Sequence, residues 1–182
     1  VKAVGDEGWD DTGPTIIVEC QPLPFQERAH YYRDGLNVII PSVRRTPPEM
    51  LSPRTKTHNY LNLVMADLEV QAQDPGAWAI LLDHNGNLCE GLGSNLFLVK
   101  NGRLLTPRAQ YVLAGISRGT VIDLAEQLGI TCEERDLDLY DAYTADEIFV
   151  TSTSFCICPV RSINGNKAAQ DAIPGEITQQ LL

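Results

Sequence analysis

Apolar residues recur at helical spacing in two segments of the chain. In the first segment they follow at i, i+3, i+4, i+7 and i+11, at Leu61, Val64, Met65, Leu68 and Ala72. In the second segment they lie at Val121, Leu124, Ala125 and Leu128. Each spacing is that of one face of an α-helix. We therefore expect one helix from Asn59 to about residues 74–76, and another over residues 115–129, where Gly129 suits a C-terminal cap.

Runs of apolar and β-branched residues between turn residues predict the strands. These runs occupy residues 15–24, 35–43, 77–83, 88–100, 103–107, 130–139 and 146–160. The Asn-Gly pairs at residues 85–86 and 101–102 fit two-residue hairpin turns, whose residues need positive φ angles. The strands between residues 77 and 107 are therefore expected to form an antiparallel meander.

Three other segments complete the outline. Residues 1–14 are rich in Gly and Asp and are expected to form a loop. Residues 44–55 contain three prolines and have the composition of a linker. The last eight residues, 175–182, predict a short helix.

Composition and charge exclude several classes of partner. The 182 residues carry 24 acidic and 14 basic side chains, which gives a formal net charge of −10. The sequence has no cluster of basic residues with interleaved aromatic residues. We therefore expect neither nucleic acid nor an anionic membrane as a partner. No apolar run in the sequence approaches the roughly 18 residues of a membrane span.

The five cysteines indicate a reducing compartment. They form no CxxC pair, and any scheme of internal disulfides leaves one of them unpaired. We therefore expect a cytoplasmic protein with free thiols. We expect no metal site, because the three histidines show no ligand spacing.

Three polar features stand out against this pattern. Lys56 lies just before the first predicted helix, where a cation is poorly placed against the helix dipole, and such a lysine is ordinarily a solvated linker residue. Gly115, Ile116 and Ser117 open the second helix with free N–H groups and a hydroxyl, which form either an anion site or a helix start that meets only water. The hydroxyl run of residues 151–154 is either a polar turn or a second set of donors for a phosphate or carboxylate.

Four segments in this order resemble a known family. They read KTHNYLN from Lys56, LLDHNGNLCEGLGSNLFLVKNGRLLTP from Leu81, LAGISRGTVIDLAEQLGI from Leu113 and ADEIFVTSTSFCICPV from Ala145. Together they resemble the fold-type IV pyridoxal-phosphate (PLP) enzymes, or class IV aminotransferases, which include the branched-chain and D-amino-acid aminotransferases, the (R)-selective amine transaminases and aminodeoxychorismate lyase. The resemblance implies an α+β fold, the large C-terminal domain of the D-amino-acid aminotransferase-like PLP fold, in which an antiparallel strand meander or pseudobarrel has flanking helices.

The resemblance assigns five residues to the cofactor's ring and aldehyde. Lys56 is the Schiff-base lysine, which also moves a proton as general base and acid. Glu90, 34 positions further on, is the acid that faces the nitrogen of the pyridine ring and keeps it protonated. Tyr60 is similar to the tyrosine that binds the ring oxygen, and Leu113 to the residue that packs on the ring face. Gly93 would let the backbone approach the ring.

The resemblance also assigns the phosphate and carboxylate ligands. Ile116 and Ser117 match residues whose backbone amides, with the hydroxyl, bind the phosphate, and Thr153 matches a third phosphate ligand. The amide of Ser154 matches a group that binds the substrate carboxylate. Two features depart from the branched-chain enzymes: KTHNY has the shorter lysine-to-tyrosine spacing of the D-amino-acid and lyase branches, and Cys156 replaces a glutamate common in the family.

A domain arrangement and a reaction follow from the same resemblance. Residues 1–30 correspond to the tail of a small N-terminal domain, and residues 31–182 to the PLP-binding large domain. The implied reaction is transamination between an amino acid, with branched-chain donors preferred, and a 2-oxo acid, in a homodimeric enzyme. The alternatives are an aminodeoxychorismate lyase-like activity, an (R)-amine or D-amino acid transaminase activity, and an inactive truncated fragment.

Overall fold

Eight strands of one mixed sheet form the framework of the residues that the computed structural model describes, 16–170 and 172–182. The strands are β1 (Leu36–Ile39), β2 (Trp78–Ala79), β3 (Asn95–Lys100), β4 (Arg103–Pro107), β5 (Cys132–Arg135), β6 (Glu147–Ser152), β7 (Cys156–Ile163) and β8 (Asn166–Lys167). The helices are α1 (Phe25–Asp34), α2 (Leu61–Gln73), α3 (Ile116–Gln127), α4 (Leu139–Tyr143) and α5 (Glu176–Leu181). None of these described helices is both long and apolar enough to cross a membrane.

The strand order confirms the expected α+β fold and adds parallel pairs to it. The order is β2-β1-β7-β6-β3-β4-β5, and β8 pairs with β7. The pairs β3–β4, β3–β6, β6–β7 and β7–β8 are antiparallel. The pairs β1–β2, β1–β7 and β4–β5 are parallel, which the sequence pattern did not indicate. Parallel partners lie far apart in the chain, because a crossover must connect them.

Apolar side chains cover both faces of β3, an internal strand that lies between β6 and β4. Leu96 and Leu98 belong to one core cluster, whereas Phe97 and Val99 point to the opposite face and join a second cluster with α3 and α5. Phe97 stacks on Phe149 of β6 with ring centres 5.0 Å apart. Burial on both faces explains why the sequence LFLV, residues 96–99, is an unbroken apolar run. The start of β3 thereby lies beside the end of β6.

The strand predicted over residues 15–24 is wrong where the structure describes it. Residues 16–24 have no regular structure, and the β-branched residues 16–18 are exposed. β propensity stabilises a strand only when a neighbouring strand and a packed face are available, and no described strand pairs with this segment. Residues 1–15, including the predicted N-terminal loop, lie outside the described residues.

α1 follows that segment and was not predicted from the sequence. Its sequence, FQERAHYYRD, has no apolar stripe at helical spacing, and none of its residues is fully buried. Its Tyr31 and Tyr32 pack against the core cluster that contains Leu96 and Leu98. The Tyr32 hydroxyl donates to the carbonyl oxygen of Phe155 at 2.6 Å. The helix is therefore stabilised by contacts with distant residues, which its own sequence does not predict.

α2 lies over the predicted range but turns a different face toward the sheet. Leu63, Ala66 and Val70 are its buried residues and pack against Ala79 and Leu81. The apolar face recognised from the sequence is exposed instead, at Leu61, Val64, Met65, Leu68 and Ala72. Because apolar residues occur on nearly every side of α2, periodicity alone does not identify the side that meets the sheet.

The two predicted Asn-Gly turns have different outcomes. Asn101 and Gly102 have φ angles of 51° and 74° and join β3 to β4, which confirms the hairpin. In the other pair only Gly86 has a positive φ, of 91°. That turn is held instead by Asp83, whose Oδ1 accepts the N–H of Asn87 at 2.8 Å. A side chain therefore replaces part of the expected backbone turn geometry.

One buried carboxylate holds α5 on the sheet. Glu147 Oε1 accepts the N–H of Ile177 at 2.9 Å, and Oε2 accepts the N–H of Thr178 at 2.9 Å and the Thr178 hydroxyl at 2.7 Å. These N–H groups belong to the first turn of the helix, where they have no intrahelical acceptor. Gly175, just before the helix, lies so close to the Glu147 side chain that a Cβ atom at Gly175 would overlap it.

Glu147→Ala should lower the free energy of unfolding by about 2–4 kcal/mol, because it leaves three donors without their acceptor. Urea denaturation followed by circular dichroism measures this loss. Glu126→Ala, on the exposed surface of α3, is the matched control and should change the free energy by less than about 0.5 kcal/mol. Equal effects of the two substitutions would show that Glu147 does not hold α5.

Candidate active site

A cavity of about 230 Å³ lies where β3 begins and β6 ends. Its walls come from the segment before α2, the first turns of α2 and α3, and the segment before β3. Eight of the residues predicted for the site line this cavity: Lys56, Tyr60, Glu90, Gly93, Leu113, Ile116, Ser117 and Thr153. Ser154 lies outside it and lines a neighbouring cavity, which shares Leu92 and Gly93 with the first.

Lys56 and Tyr60 form a pair at the edge of the cavity. Lys56 Nζ donates to Tyr60 Oη at 3.1 Å and lies 5.9 Å from the centre of the tyrosine ring. Tyr60 occupies the N-cap position of α2, so the start of the helix fixes the tyrosine. Lys56 itself is exposed. Its amine therefore has a hydroxyl partner and remains accessible to a ligand.

The carboxylate of Glu90 lies in the cavity wall, with 6% of its side chain exposed. Oε1 accepts from Arg45 Nε at 2.9 Å, and Oε2 accepts from the N–H of Leu113 at 2.8 Å. Burial raises the pKa of Glu90 above its ordinary value, and the Leu113 N–H, Arg45 and Lys56 oppose that rise. Each carboxylate oxygen has two lone pairs, so Glu90 can still accept from a donor inside the cavity.

The start of α3 brings backbone N–H groups to the same cavity. No side chain among the described residues caps this helix. The N–H groups of Ile116 and Ser117 therefore have no intrahelical acceptor, and the positive end of the helix dipole favours an anion there. Just before the helix, Asn95 Nδ2 donates to the carbonyl oxygen of Leu113 at 2.9 Å. Asn95 thereby fixes the chain that leads into α3.

The hydroxyl run at the end of β6, and Ser94 beside it, include both paired and unpaired groups. The N–H of Ser154, which the resemblance assigns to the substrate carboxylate, donates to Ser152 Oγ at 3.2 Å. Thr151 Oγ1 and Ser94 Oγ are buried beside the cavity and have no hydrogen-bond partner within the described part of the chain. Buried hydroxyls are ordinarily paired. These two groups therefore suit a polar ligand in the cavity.

Two residues that shape the cavity were not predicted from the sequence. Arg45 is the second of two adjacent arginines in the linker, and nothing in the local sequence distinguishes it from the exposed Arg44. Asn95 lies in one of the four segments that resemble the family, but its contact with Leu113 spans 18 positions of the chain. The contact of Arg45 with Glu90 spans 45 positions. Local periodicity carries no information about contacts of such separation.

Gly115 has no room for a side chain, because a Cβ atom there would overlap Asn95 Oδ1. Gly115→Ala should displace Asn95 or the first turn of α3, and should lower the free energy of unfolding by about 1–3 kcal/mol. Gly119→Ala, one turn along α3, would meet nothing within 4 Å and should raise that free energy by about 0.5–1 kcal/mol. Urea denaturation of both variants tests the contrast, and a shared sign would contradict it.

Comparison with known proteins finds related sequences over most of the chain. The chain matches the family described as amino-transferase class IV over residues 3–163. It is 43% identical to a protein of Methanocaldococcus jannaschii that is provisionally named a branched-chain-amino-acid aminotransferase, over 99% of this chain and 62% of that protein. It is 40% identical to a probable branched-chain-amino-acid aminotransferase of Thermotoga maritima, over 96% of this chain and 61% of that protein. The chain thus spans less than two thirds of each relative.

Solved structures show the same fold. The crystal structure of the Escherichia coli branched-chain amino acid aminotransferase superimposes with a TM-score of 0.79 at 34% identity, over 84% of this chain and 50% of that chain. The enzyme of that name from Thermobaculum terrenum, in its PLP form, gives a TM-score of 0.75 at 38% identity, over 80% of this chain and 48% of that chain. Because the family match covers most of its length, this chain belongs to the class IV aminotransferase family.

Proposed function

We propose that this protein is a PLP-dependent aminotransferase and that this chain supplies its cofactor site. One observation carries the proposal: a single cavity collects the amine of Lys56, the buried carboxylate of Glu90 and the uncapped helix start at residues 116–117. PLP has a chemical counterpart for each of these groups, namely an aldehyde, a ring nitrogen and a phosphate. Membership of the class IV aminotransferases supports the same assignment.

The other groups of the cavity also fit this cofactor. The unpaired hydroxyls of Ser94 and Thr151 offer hydrogen bonds to a polar ligand. Gly93 has nothing within 4 Å of the position of a Cβ atom, so its backbone is open to a flat ring. Leu113 presents an apolar side chain at the cavity wall. Among the related structures, one enzyme is described in its PLP form and another with N-(5'-phosphopyridoxyl)-L-glutamate.

Distinct residues would hold the two ends of the cofactor. At the phosphate end, the N–H groups of Ile116 and Ser117 and the hydroxyls of Ser117 and Thr153 donate to phosphate oxygens. At the ring end, Glu90 would accept a hydrogen bond from the protonated ring nitrogen, and Leu113 would pack on the ring face. In this proposal the two sets bind opposite ends of the cofactor.

Proton transfer falls to Lys56. Bound PLP supplies an electron-withdrawing ring, which stabilises the charge that develops when an amino acid loses its α-proton. Lys56 Nζ would hold the cofactor until an amino acid displaces it, and the freed amine would then move that proton as general base and acid. Tyr60 Oη, 3.1 Å from Nζ, orients the amine and binds the ring oxygen. Glu90 keeps the ring nitrogen protonated throughout.

Branched-chain amino acids are the proposed donors and a 2-oxo acid is the proposed acceptor. The named relatives support this choice, because both are described as branched-chain-amino-acid aminotransferases. Related structures hold norvaline, which is an amino acid, 4-methylvaleric acid, which is a branched carboxylic acid, and N-(5'-phosphopyridoxyl)-L-glutamate, in which glutamate is joined to the cofactor. In this proposal Ser154 exchanges its bond to Ser152 for the substrate carboxylate, at the junction of the two cavities.

We propose that residues 31–182 form the cofactor domain, that residues 1–30 belong to a small N-terminal domain, and that the enzyme is a cytoplasmic homodimer. The boundary lies within α1. Lys56 and Ile116 are exposed, so the cavity has an open side that another domain would cover. All five cysteines are free, as a reducing compartment favours.

PLP added to the purified chain should attach to Lys56. The complex is followed by its absorbance, reduced with borohydride and mapped by mass spectrometry. Lys56→Ala should abolish the adduct, because this substitution removes the only amine that the structure places at the cavity wall within the described residues. Lys167→Ala is the matched control, because Lys167 is exposed in β8 and does not line the cavity. This variant should leave the adduct intact.

An adduct that survives Lys56→Ala would contradict the assignment of the lysine. The absence of any adduct with the unaltered chain would instead favour the inactive-fragment alternative for this chain. Equilibrium dialysis with radiolabelled PLP separates weak binding from failure to form the covalent bond.

The choice of substrate requires a separate experiment. With 2-oxoglutarate as acceptor, valine, leucine and isoleucine should be converted to their 2-oxo acids, and D-alanine and (R)-amines should not. Aminodeoxychorismate should release no pyruvate. Pyruvate release without dependence on an oxo acid would instead assign the protein to the lyase branch, whose lysine-to-tyrosine spacing this sequence shares.

A further inference from the structure

A buried ion pair in the cavity wall joins segments that are distant in the chain. Arg45 Nε donates to Glu90 Oε1 at 2.9 Å, and the two side chains are only 10% and 6% exposed. The second oxygen of Glu90 accepts from the N–H of Leu113 at 2.8 Å. Two charges removed from water are tolerated only when good geometry and further hydrogen bonds compensate for their lost hydration. Glu90 meets this condition through both of its oxygens.

Asn62 fixes the backbone on both sides of the arginine. Its Oδ1 accepts the N–H of Thr46 at 3.1 Å, and its Nδ2 donates to the carbonyl oxygen of Arg44 at 2.7 Å. The N–H of Arg45 donates to the carbonyl oxygen of Leu82 at 2.8 Å. Asn62 lies in the first turn of α2, the helix that also begins beside the lysine. A linker without helix or strand is thereby held rigidly where Arg45 points at Glu90.

We propose that Arg45 is a positioning residue, which keeps the Glu90 carboxylate charged and fixed so that it can serve as partner of the cofactor's ring nitrogen. The role of Glu90 toward the cofactor rests on the proposed function. The action of Arg45 on Glu90 is a property of the chain alone, so the two parts can be tested separately.

The surroundings of Glu90 explain why it needs this partner. Burial raises the pKa of Glu90, and the Leu113 N–H, Arg45 and Lys56 lower it. Of the two cations, Lys56 is exposed and therefore more strongly screened by solvent than Arg45. The adjacent Cys89 is neutral, because burial raises the pKa of its thiol to about 12. Without Arg45, burial would be opposed chiefly by one N–H group, and Glu90 would take up a proton at a higher pH.

This reasoning predicts how stability depends on pH. A carboxyl group whose pKa is higher in the folded state than in the unfolded state destabilises the fold increasingly as pH rises above its unfolded pKa, until it has ionised in both states. Arg45→Met retains most of the apolar stem but removes the charge. Its loss of stability relative to the unaltered chain should therefore be larger at pH 8 than at pH 5.

The first experiment measures melting temperatures of this chain without PLP at these two pH values. The deficit of Arg45→Met should be about 3 °C larger at pH 8 than at pH 5. Arg44→Met, at the exposed neighbouring position, is the matched control and should show no such difference. Arg45→Lys should restore part of the stability at pH 8, and Glu90→Gln combined with Arg45→Met should remove the pH dependence. Equal deficits at both pH values would overturn the inference, since lost packing alone would produce them.

The second experiment measures the dissociation constant of PLP at pH 8 by quenching of protein fluorescence. Arg45→Met should raise it about tenfold, because a charged hydrogen bond to the ring is lost when Glu90 is protonated or displaced. Arg44→Met should leave it unchanged. Unchanged PLP binding by Arg45→Met would overturn the cofactor part of the inference. Failure of the unaltered chain to bind PLP would overturn the proposed function for this chain, while the melting experiment would still decide whether Arg45 holds Glu90.

Discussion

Separate parts of the chain bring a donor to each oxygen of the buried Glu90 carboxylate, and these donors oppose the rise in its pKa that burial causes. Arg45 arrives from the linker and the N–H of Leu113 from the loop before α3. An ionised carboxylate buried without partners costs roughly several kcal/mol. The linker, the segment before β3 and the loop before α3 must therefore be in place together. The cavity forms because the sheet brings these three segments together, and no single sequence motif forms it.

The antiparallel pairing of β3 with β6 determines where these parts meet. Asn95, the first residue of β3, lies opposite Thr151 near the end of β6, so the segment that carries Glu90 meets the hydroxyl run at one end of the sheet. Val121 of α3 packs in one cluster with Phe97 of β3 and Phe149 of β6. The first turn of α3 therefore lies at the same end of the sheet. The helix dipole, the hydroxyls and the carboxylate thus converge although they are far apart in sequence.

The geometry also separates the chemical tasks of the proposed enzyme. The backbone at the start of α3 offers neutral donors to an anion, whereas the exposed Lys56 remains accessible for covalent chemistry. Glu90 is buried and already paired. A site divided in this way can bind a charged cofactor rigidly while leaving one amine free to react. The named relatives and solved structures are longer than this chain, which supplies the cofactor side of the proposed site.

The sequence by itself determined the local features: the ranges of α2 and α3, the Asn101-Gly102 hairpin, the family, and eight residues that line one cavity. These features follow from the helical periodicity, from the φ preferences of Asn and Gly, and from four short segments that resemble the family. Each of these signals lies within a short stretch of the chain. Only the tertiary structure decided which face of α2 is buried, that residues 16–24 form no strand, and that Arg45 rather than Arg44 meets Glu90. Those outcomes depend on which partner the sheet places opposite each residue, and a pairing across 45 positions leaves no trace in local pattern.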